Sequence, residues 1–571
     1  MTFNKSAAFV AVALVSLSAC GRGDKPADLT TPEPAVVDET VVAEETELSF
    51  APIDEAALRT RIETLSSDDY AGRAPTTPGG EKARAFLISE MKRIGLKPGN
   101  GDSYEQSVPL VELTLQKDAS SLSIGGETLE QGSEAVFITK RVVEEVSFAD
   151  SDVVFVGYGV VAPEYGWDDY AGLDVKGKTV IMLVNDPGFA TEDPELFNGR
   201  AMTYYGRWTY KFEEAARQGA AGALIVHQTA PAAYGWNVVE SGWTGAQLDL
   251  ERPDGGANRT ALEGWIQESV ARDLFTKAGM DFDEAAEAAK TKGFQAVKMG
   301  DLTASATLKN TIKRSASANV AGMIPGTEHP DEYVLFMAHW DHLGTNPDIT
   351  DGDGIYNGAI DNATGTSGIL SIAESFMASE KPPLRSILFI AVTAEESGLL
   401  GSAYFGEDPF VPLASIVGGL NVDAVLPTPP TKDMIVVGYG ASELEDLLKA
   451  SADKRGMYLR PDAEPEKGYF YRSDHISLAK KGVPMLYADS GADLVDGGEE
   501  AGKVYGEDYV KNKYHQPADE YSADWEMSGI VQTLSVLQDT AAAMAYSDIW
   551  PNWRDGNEFR ALRDAQRAAA E

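Results

Sequence analysis

The chain has 571 residues, which is too many for one hydrophobic core, so two folded units with tails are expected. Hydrophobic residues make up 43% of the sequence, which is enough to fill such cores. Asp and Glu number 89 against 48 Lys and Arg, and the formal net charge of -41 argues against nucleic acid as a partner, because phosphate binding needs a basic surface. The single cysteine excludes a disulfide framework within one chain.

The N-terminus has the pattern of an export signal. Lys5 precedes an apolar run from Ala7 to Leu17, which is too short to span a bilayer and is typical of a signal peptide over residues 1–19. The residues LSAC, which end at Cys20, resemble a bacterial lipoprotein box. We therefore expect lipidation of Cys20 and attachment to a membrane only through that lipid. The alternative is an ordinary signal peptide that contains a cysteine.

The residues after the cysteine indicate in which membrane a lipoprotein is retained. Gly21 follows Cys20, so the Asp that often signals retention in the inner membrane of Gram-negative bacteria is absent there. This pattern favours the outer membrane, with the folded part on its periplasmic face or at the cell surface. Residues 20–50 are acidic, contain prolines and lack a core pattern, which predicts a flexible linker.

Beyond the linker, the apolar spacing divides the chain into parts. Residues 51–135 contain helical spacing from Gly79 to Ile94. In residues 136–300, short runs rich in β-branched residues alternate with Gly, Pro and Asp turns, which predicts a small β-rich insertion. Residues 301–550 alternate continuous apolar runs with helical spacing, so we predict an α/β domain with a mostly parallel mixed sheet flanked by helices. The charged tail 551–571 is expected to form a peripheral helix.

Histidine and acidic residues follow three of the apolar runs, at the point where each run ends. Because ligands bind outside the carboxyl ends of the strands in an open α/β sheet, these side chains are expected at one edge. They are His339 and Asp341 after YVLFMA, Glu395 and Glu396 after ILFIAVTA, and Asp423 after IVGGLNV. Two loop residues complete the set, and they are Asp361 in AIDNATG and His515 in KYHQPADE.

This collection of side chains suits zinc. Imidazole and carboxylate are good zinc ligands, and a carboxylate can bridge two zinc ions about 3.5–4 Å apart. One acidic residue must stay off the metal to deprotonate water, and the adjacent Glu395 and Glu396 can supply one of each role. Taken singly, each residue could instead be an ordinary loop residue, since an Asp or Glu after a strand is usually solvated and binds no metal. The joint pattern favours a site for two Zn²⁺ ions per chain.

At these residues the sequence resembles peptidase family M28, whose members are co-catalytic zinc peptidases. The resemblance covers about 51–135 and 305–545, and it implies a zinc exopeptidase-like fold that hydrolyses peptide bonds. The motifs, in chain order, are AGRAPTTPGG at 71–80, HWDH at 339–342, AIDNATG at 359–365, TAEESGLLGS at 393–402, NVD at 421–423, RSDH at 472–475 and YHQPADE at 514–520.

The resemblance implies a role for each matched residue. The metal ligands implied are His339, Asp361, Glu396, Asp423 and His515. Asp361 would bridge the two zinc ions. His339 and Asp423 would complete one zinc site, and Glu396 and His515 would complete the other.

Three further roles follow from the same resemblance. Glu395 would be the general base. The carboxylate of Asp341 would orient His339, the arrangement expected for a metal-bound imidazole. Tyr514 would donate a hydrogen bond to the oxyanion, a role that varies within the family.

The insertion resembles a protease-associated (PA) domain through KGKTVIML and KFEEAARQGAAGALIV. Such domains cover or shape an active site and carry no catalytic residues, and we interpret His227 within it as structural. The alternative is any small β-rich insertion. The loop NPDITDGDG further along the chain contains Asp348, Asp351 and Asp353, which suggests either a calcium site or a plain surface loop; its spacing fits no EF-hand.

The charges around the site favour an aminopeptidase. Five carboxylates against the four positive charges of two zinc ions tolerate a cationic substrate amine, whereas a carboxypeptidase needs cations to bind the terminal carboxylate. The motif RSDH offers only Arg472, and Arg207 and Arg217 lie in the insertion. The alternatives are a carboxypeptidase on the same fold, a single-zinc glutaminyl cyclase-like enzyme and a non-catalytic receptor-like binding protein. The expected partner is a peptide substrate, and the sequence indicates no oligomeric state.

Overall fold

One 28-residue strand, Val297–Ile324, links the two larger sheets of the protein. The computed structural model describes residues 50–347 and 349–570. Residues 297–309 of the long strand pair within one sheet, and residues 310–324 pair within the other. The described residues from Phe50 onward form one compact unit. The predicted signal peptide and the lipidated Cys20 lie outside the described residues and stay predictions.

The larger sheet is mixed, with parallel strands at its centre. Its four central strands are parallel, and the next strand on each side is antiparallel to them. Further antiparallel pairs extend the sheet on one side, and a parallel edge strand extends it on the other. From edge to edge the strands are Ala246–Leu250, Glu105–Leu115, Val297–Ile324, Arg385–Val392, His329–His339, Ile416–Asn421, Met485–Ser490, Asp433–Val437 and Tyr458–Pro461. The predicted α/β class with a mostly parallel mixed sheet is confirmed.

The central strands read as continuous apolar runs because helices cover both faces of the sheet. In the strand His329–His339, Val334 and Phe336 face one hydrophobic core, and Leu335 and Met337 face the other. Successive side chains of a strand point to opposite faces, so both sets must be apolar when both faces are buried. The helices, including those of the insertion, are Glu55–Leu65, Pro78–Ile94, Pro187–Thr191, Trp208–Arg217, Thr229–Ala232, Trp236–Gly242, Glu268–Lys277, Phe282–Ala289, Gly365–Met377, Leu400–Glu407, Leu444–Asp453, His475–Ala479, Gly498–Asp508, Ser528–Ala545 and Arg560–Ala570.

The helix Pro78–Ile94 shows how local signals set the boundaries that the sequence predicted. Thr77 accepts a hydrogen bond from the Gly80 N–H, and Pro78 occupies the first turn, where its missing N–H costs nothing. Gly95 ends the helix with φ +95°, a conformation that favours glycine. The helical spacing from Gly79 to Ile94 is thereby confirmed. The charged tail also contains a helix, Arg560–Ala570, as expected.

The smaller sheet contains most of the strands of the insertion. Four neighbouring strands of this sheet are parallel, and helices pack beside them around two apolar cores. Across the sheet the strands are Glu127–Thr128, Ser121–Ile124, Val297–Ile324, Glu145–Phe155, Thr179–Leu183, Gly222–His227, Leu262–Gln267 and Ala135–Ile138. The strand Ser121–Ile124, which precedes residue 136, therefore lies in the same sheet as the insertion, where it pairs with residues 304–307 of the long strand. The resemblance to a protease-associated domain stays a prediction.

Short strands complete the architecture. Lys97–Pro98 pairs with the long strand, Gly344–Thr345 pairs with Ile355–Tyr356, and Val161–Ala162 pairs with Trp167–Asp168. No helix in the described part of the chain has the length and apolarity that crossing a bilayer requires.

Candidate metal centre

The predicted site residues lie where three neighbouring parallel strands end. His339 is the last residue of the strand His329–His339, and Glu395 and Glu396 follow Arg385–Val392 after a two-residue turn. Asp423 lies two residues beyond the end of Ile416–Asn421. Because these strands run in the same direction side by side, their carboxyl ends share one edge, and the side chains meet there.

Asp361 lies between two histidines. Its Oδ1 is 3.3 Å from His339 Nε2, and its Oδ2 is 3.4 Å from His515 Nε2. Asp423 Oδ1 is 3.1 Å from the same His339 nitrogen, and Glu396 Oε2 is 3.1 Å from the same His515 nitrogen. The structure thus brings all five predicted ligands together, with Asp361 in the shared position.

Carboxyl groups and imidazoles lie close together in the buried centre, and their contacts shift one another's pKa. Burial alone would raise the pKa of Asp361, but hydrogen bonds from His339 and His515 hold it well below its usual range. Burial would likewise lower the pKa of His515, but hydrogen bonds with Asp361 and Glu396 raise it to about 10. The His339 side chain is 1% exposed and that of His515 is 37% exposed, so the centre opens to solvent on the His515 side.

The donor set fits zinc. It contains two imidazole nitrogens and three carboxylates, which are the ligand types that zinc prefers where cysteine is absent. Within the described residues, three groups of His, Asp and Glu have ligand atoms that all lie within 4.8 Å of one another. The groups are His339 with Asp361 and Asp423, His339 with Glu395 and Glu396, and His342 with Asp361 and Glu396.

Glu395 is partly buried beside this donor set. Burial is the main cause that raises its pKa well above the usual range; the neighbouring Glu396 carboxylate acts in the same direction, and His339 opposes both. Ala394, which precedes it, has φ +55°, a left-handed conformation that is uncommon for a non-glycine residue. The backbone therefore turns sharply at this point, immediately after the strand end.

Asp341 has a different contact from the one that the sequence predicted. The His339 Nδ1 atom lies 3.2 Å from the main-chain oxygen of Asp341, and no described contact joins His339 to its carboxylate by a hydrogen bond. The carboxylate Oδ1 instead accepts a hydrogen bond of 3.1 Å from the Glu395 N–H. The chain turns after His339 and presents a carbonyl to the ring, and an orienting role for the Asp341 carboxylate stays a prediction. Burial raises the pKa of Asp341 to about 6.

Tyr514 lies beside the centre through its ring. The ring stacks on that of His515, with centroids 3.9 Å apart and an interplanar angle of 25°. The residue is 37% exposed, and its hydroxyl makes no hydrogen bond with the described residues. The oxyanion role of Tyr514 stays a prediction.

His342 is a site residue to which the sequence analysis gave no role. Its Nδ1 lies 2.6 Å from Glu396 Oε1, and its side chain is fully buried. Its Nε2 is buried and has no partner among the described residues. His342 lies in the motif HWDH, three residues after His339. Its position at the same strand end could have identified it as a site residue. Together with His515 it holds the pKa of Glu396 at about 2, against burial and Asp361, which both raise it.

Two polar side chains join the loops of the site to one another. The Asp519 carboxylate accepts hydrogen bonds from the main-chain N–H groups of Ile360, at 2.9 Å, and Asp361, at 3.0 Å. Ser473 Oγ donates to Asp423 Oδ2 at 2.6 Å. The side chains of Asp519 and Ser473 lie in the motifs YHQPADE and RSDH, but their partners could not be inferred from spacing.

Arg73 explains the motif AGRAPTTPGG. It is 1% exposed, and its guanidinium donates to main-chain oxygens on both sides of the centre. The acceptors are the main-chain oxygens of Trp340, Leu65, Asn357, Gly358 and Asp361. The preceding Gly72 has φ +67°, and a Cβ there would lie 2.3 Å from the Gly344 oxygen, so only glycine fits. The motif therefore supports the loops that contain His339 and Asp361.

The acidic loop gives no further support for calcium. Asp348 lies outside the described residues, and Asp351 and Asp353 are exposed. The calcium site stays a prediction.

A family model and several known proteins are similar to the part of the chain that contains the centre. The family model "Peptidase family M28" matches residues 319–537, which include every predicted site residue. Aminopeptidase NAALADL1 of Mus musculus is 34% identical over 119 residues, which is 20% of this chain and 14% of that protein. A probable zinc metalloprotease of Pyrenophora teres f. teres is 32% identical over 106 residues, 19% of this chain and 22% of that protein. Probable glutamate carboxypeptidase LAMP1 of Arabidopsis thaliana is 32% identical over 143 residues, 24% of this chain and 18% of that protein.

These curated relatives are each matched over less than a quarter of their own length. Among solved structures, an aminopeptidase from Aneurinibacillus sp. strain AM-1 aligns with a TM-score of 0.48 and 17% identity, over 87% of this chain and 96% of that chain. A peptidase M28 precursor from Shewanella amazonensis SB2B aligns with a TM-score of 0.40 and 15% identity, over 88% of this chain and 95% of that chain.

Proposed function

Because residues 319–537 match the model of peptidase family M28, we propose that the protein is a metallopeptidase of that family with two zinc ions, acting as an aminopeptidase. The observation that carries the proposal is the position of Asp361, whose two oxygens face two different histidines. One zinc would bind His339 and Asp423, the other would bind Glu396 and His515, and Asp361 would serve both. Each ion would then have one imidazole and two carboxylates, with room for water or substrate.

The residues of the chain divide the chemistry among them. Zinc, when bound, lowers the pKa of nearby water and polarises the scissile carbonyl. Glu395 accepts the proton of the attacking water and passes it to the departing amine, since the five ligands leave its carboxyl free for this task. Asp341 holds the Glu395 main-chain N–H and so fixes the turn that presents the carboxyl. Tyr514, beside His515 on the open side, would donate to the oxyanion.

The choice of an aminopeptidase rests on charge. Asp361, Glu396 and Asp423, together with Glu395 and Asp341, supply five carboxylates against the four positive charges of two zinc ions. A substrate ammonium group is attracted to such a site, and the excess of acidic residues over the whole chain acts in the same direction. Attachment to the outer membrane through lipid on Cys20, and a covering role for the insertion as a PA domain, belong to the same proposal.

Metal analysis beside a small substrate panel tests the proposal. We expect two zinc ions per chain, and a short peptide should lose cleavage when its amino terminus is acetylated but not when its C-terminus is amidated. The reverse pattern would establish a carboxypeptidase. One zinc per chain with cyclisation of N-terminal glutamine would establish a cyclase. Zinc binding without any turnover would favour a receptor-like protein.

A further inference from the structure

Asp489 lies in the strand Met485–Ser490, directly beside the strand that leads to the candidate ligand Asp423. The two strands are parallel, and the last pair between them joins Asn421 to Tyr487. Asp423 and Asp489 each come two residues after that pair, so both continue the register towards the carboxyl edge of the sheet. Because neighbouring strands are about 4.8 Å apart, the two acids lie side by side at the edge that contains the metal centre.

The Asp489 side chain points away from the core that its strand neighbours fill. Leu486 and Ala488 are buried in the core on one face of the sheet. Since successive side chains of a strand point to opposite faces, Tyr487 and Asp489 point to the other face. The Tyr487 ring agrees with this direction, because its centroid lies 5.2 Å from that of His475, whose helix packs into the core on that other face.

The candidate ligand Asp423 points to the same face as Asp489. Leu420 and Val422 are buried in the first core, so the residues that alternate with them point to the second face. Two hydrogen bonds through Ser473 support this direction. Asn421 Nδ2 donates to Ser473 Oγ at 2.7 Å, and that hydroxyl donates to Asp423 Oδ2 at 2.6 Å.

Asp489 has no cationic partner in the part of the chain that the structure describes. Its Oδ1 accepts a hydrogen bond of 2.6 Å from the adjacent Ser490 N–H, whereas Asp493, a few residues further on, is paired with Lys432 at 2.9 Å. The Asp489 side chain is half-buried, and burial raises its pKa to about 7. A cation beside this carboxylate would offset the cost of burying it.

The distance from the metal ligands selects the kind of cation. The α-amine of a peptide is held next to the scissile carbonyl, which must lie at the metal ions. Asp489 lies about 4.8 Å further along the sheet than the ligand Asp423, which is one strand spacing. A lysine or arginine side chain carries its charge at the end of a long flexible stem and can span that distance.

We propose that Asp489 binds the basic side chain of an amino-terminal lysine or arginine of the substrate, so that the protein prefers peptides that begin with a basic residue. The inference rests on the proposed function, which places the first residue of the peptide at the metal centre. Asp489 is then a specificity-determining residue, and it takes no part in the cleavage of the peptide bond.

Two substrates that differ only in the charge of the first side chain test the inference. Lysine p-nitroanilide and norleucine p-nitroanilide share the α-amine and the leaving group. We expect the intact protein to prefer the lysine compound by at least about tenfold in kcat/KM, the lower range for a charge-assisted hydrogen bond. Asp489→Asn should reduce that preference to less than about threefold and leave kcat/KM for norleucine within about threefold. Asp496→Asn removes the same charge from an exposed position of the following loop and should keep the preference.

Two results would overturn the inference while leaving the aminopeptidase intact. One is the absence of a preference for lysine in the intact protein, or a preference that survives Asp489→Asn. The other is an equal loss of both activities in that variant, because Asp489 would then act on the amine that the two substrates share. If Asp489→Asn does not fold, Asp489→Thr provides the same test with a residue that suits a strand.

A binding measurement decides the inference if no peptide is cleaved and the proposed function fails. Calorimetric titration of the zinc-loaded protein with L-lysinamide and L-norleucinamide compares the two side chains without any turnover. Lysinamide should bind at least about tenfold more tightly than norleucinamide to the intact protein, and less than about threefold more tightly to Asp489→Asn. Equal binding of the two amides to the intact protein would overturn the inference.

Discussion

Replacing Arg73 by methionine is expected to loosen the loops that contain His339 and Asp361. The guanidinium donates to the main-chain oxygens of Trp340 at 2.9 Å, Gly358 at 2.8 Å and Asp361 at 3.3 Å, as well as to those of Leu65 and Asn357. Methionine fills much of the same volume but donates no hydrogen bond. The substitution therefore leaves buried carbonyl groups without a donor.

The size of the effect follows from those acceptors. Gly358 keeps another donor, the Ala363 N–H at 3.3 Å, whereas the other four oxygens lose the only donor found among the described residues. An unsatisfied buried acceptor costs about 1 kcal/mol or more, so the free energy of unfolding should fall by about 4 kcal/mol. The loops also support the catalytic geometry, and loss of such outer contacts typically lowers activity by about 10- to 100-fold.

Denaturant unfolding and steady-state kinetics measure the two effects, with coincident spectroscopic probes to show that one transition is being followed. Arg385→Met is the matched control. Arg385 is also 1% exposed, donates to the main-chain oxygens of Met544 and Ile549, and begins the strand whose far end leads to Glu395. Arg385→Met should lose as much unfolding free energy as Arg73→Met, but its kcat/KM should fall less than about threefold. A stability loss below about 1 kcal/mol for Arg73→Met would contradict the cost estimated from the carbonyl groups that lose their donor. Equal losses of kcat/KM in both variants would contradict the inference that Arg73 supports the loops of the metal centre.

Three further predictions concern other parts of the chain. Glu395→Gln should keep its zinc and its unfolding midpoint while kcat falls by at least about 10²-fold, and near-normal turnover would remove the proposed mechanism. Cys20→Ser should move the protein from the membrane fraction to the soluble fraction, whereas unchanged attachment would contradict lipidation. Burial alone would raise the pKa of Asp249, but Lys140 and Arg252 lower it from 3.8 to about 2. This carboxylate therefore contributes about 2 kcal/mol of stability above pH 4, and the contribution is lost as the pH falls towards 2. At pH 7 Asp249→Asn should be less stable than the parent by about that amount, and the difference in unfolding free energy should narrow below pH 4. A difference independent of pH would contradict the ion pairing of Asp249.

The sequence by itself determined the fold class and the members of the site that stand at strand ends. Continuous apolar runs indicate strands buried on both faces, and such strands place His339, Glu396 and Asp423 at one edge whatever the details of packing. Helix boundaries such as that at Gly95 were equally local, since a capping residue acts within one turn. These features are short-range, and a short-range pattern can be recognised in the chain itself.

Other features were decided only by the tertiary structure. Arg73 meets carbonyl groups more than 260 residues away, and a carbonyl is the same in every residue, so no sequence pattern identifies the acceptor. The contact of His342 with Glu396 joins two strand ends whose relative height depends on register. The sequence suggested the Asp341 carboxylate as the partner of His339, whereas the turn places the main-chain carbonyl of Asp341 against the ring. Lys480 of the α/β domain reaches Glu213 of the insertion at 2.7 Å, and the direction in which an inserted unit packs depends on such contacts, which form after both parts have folded.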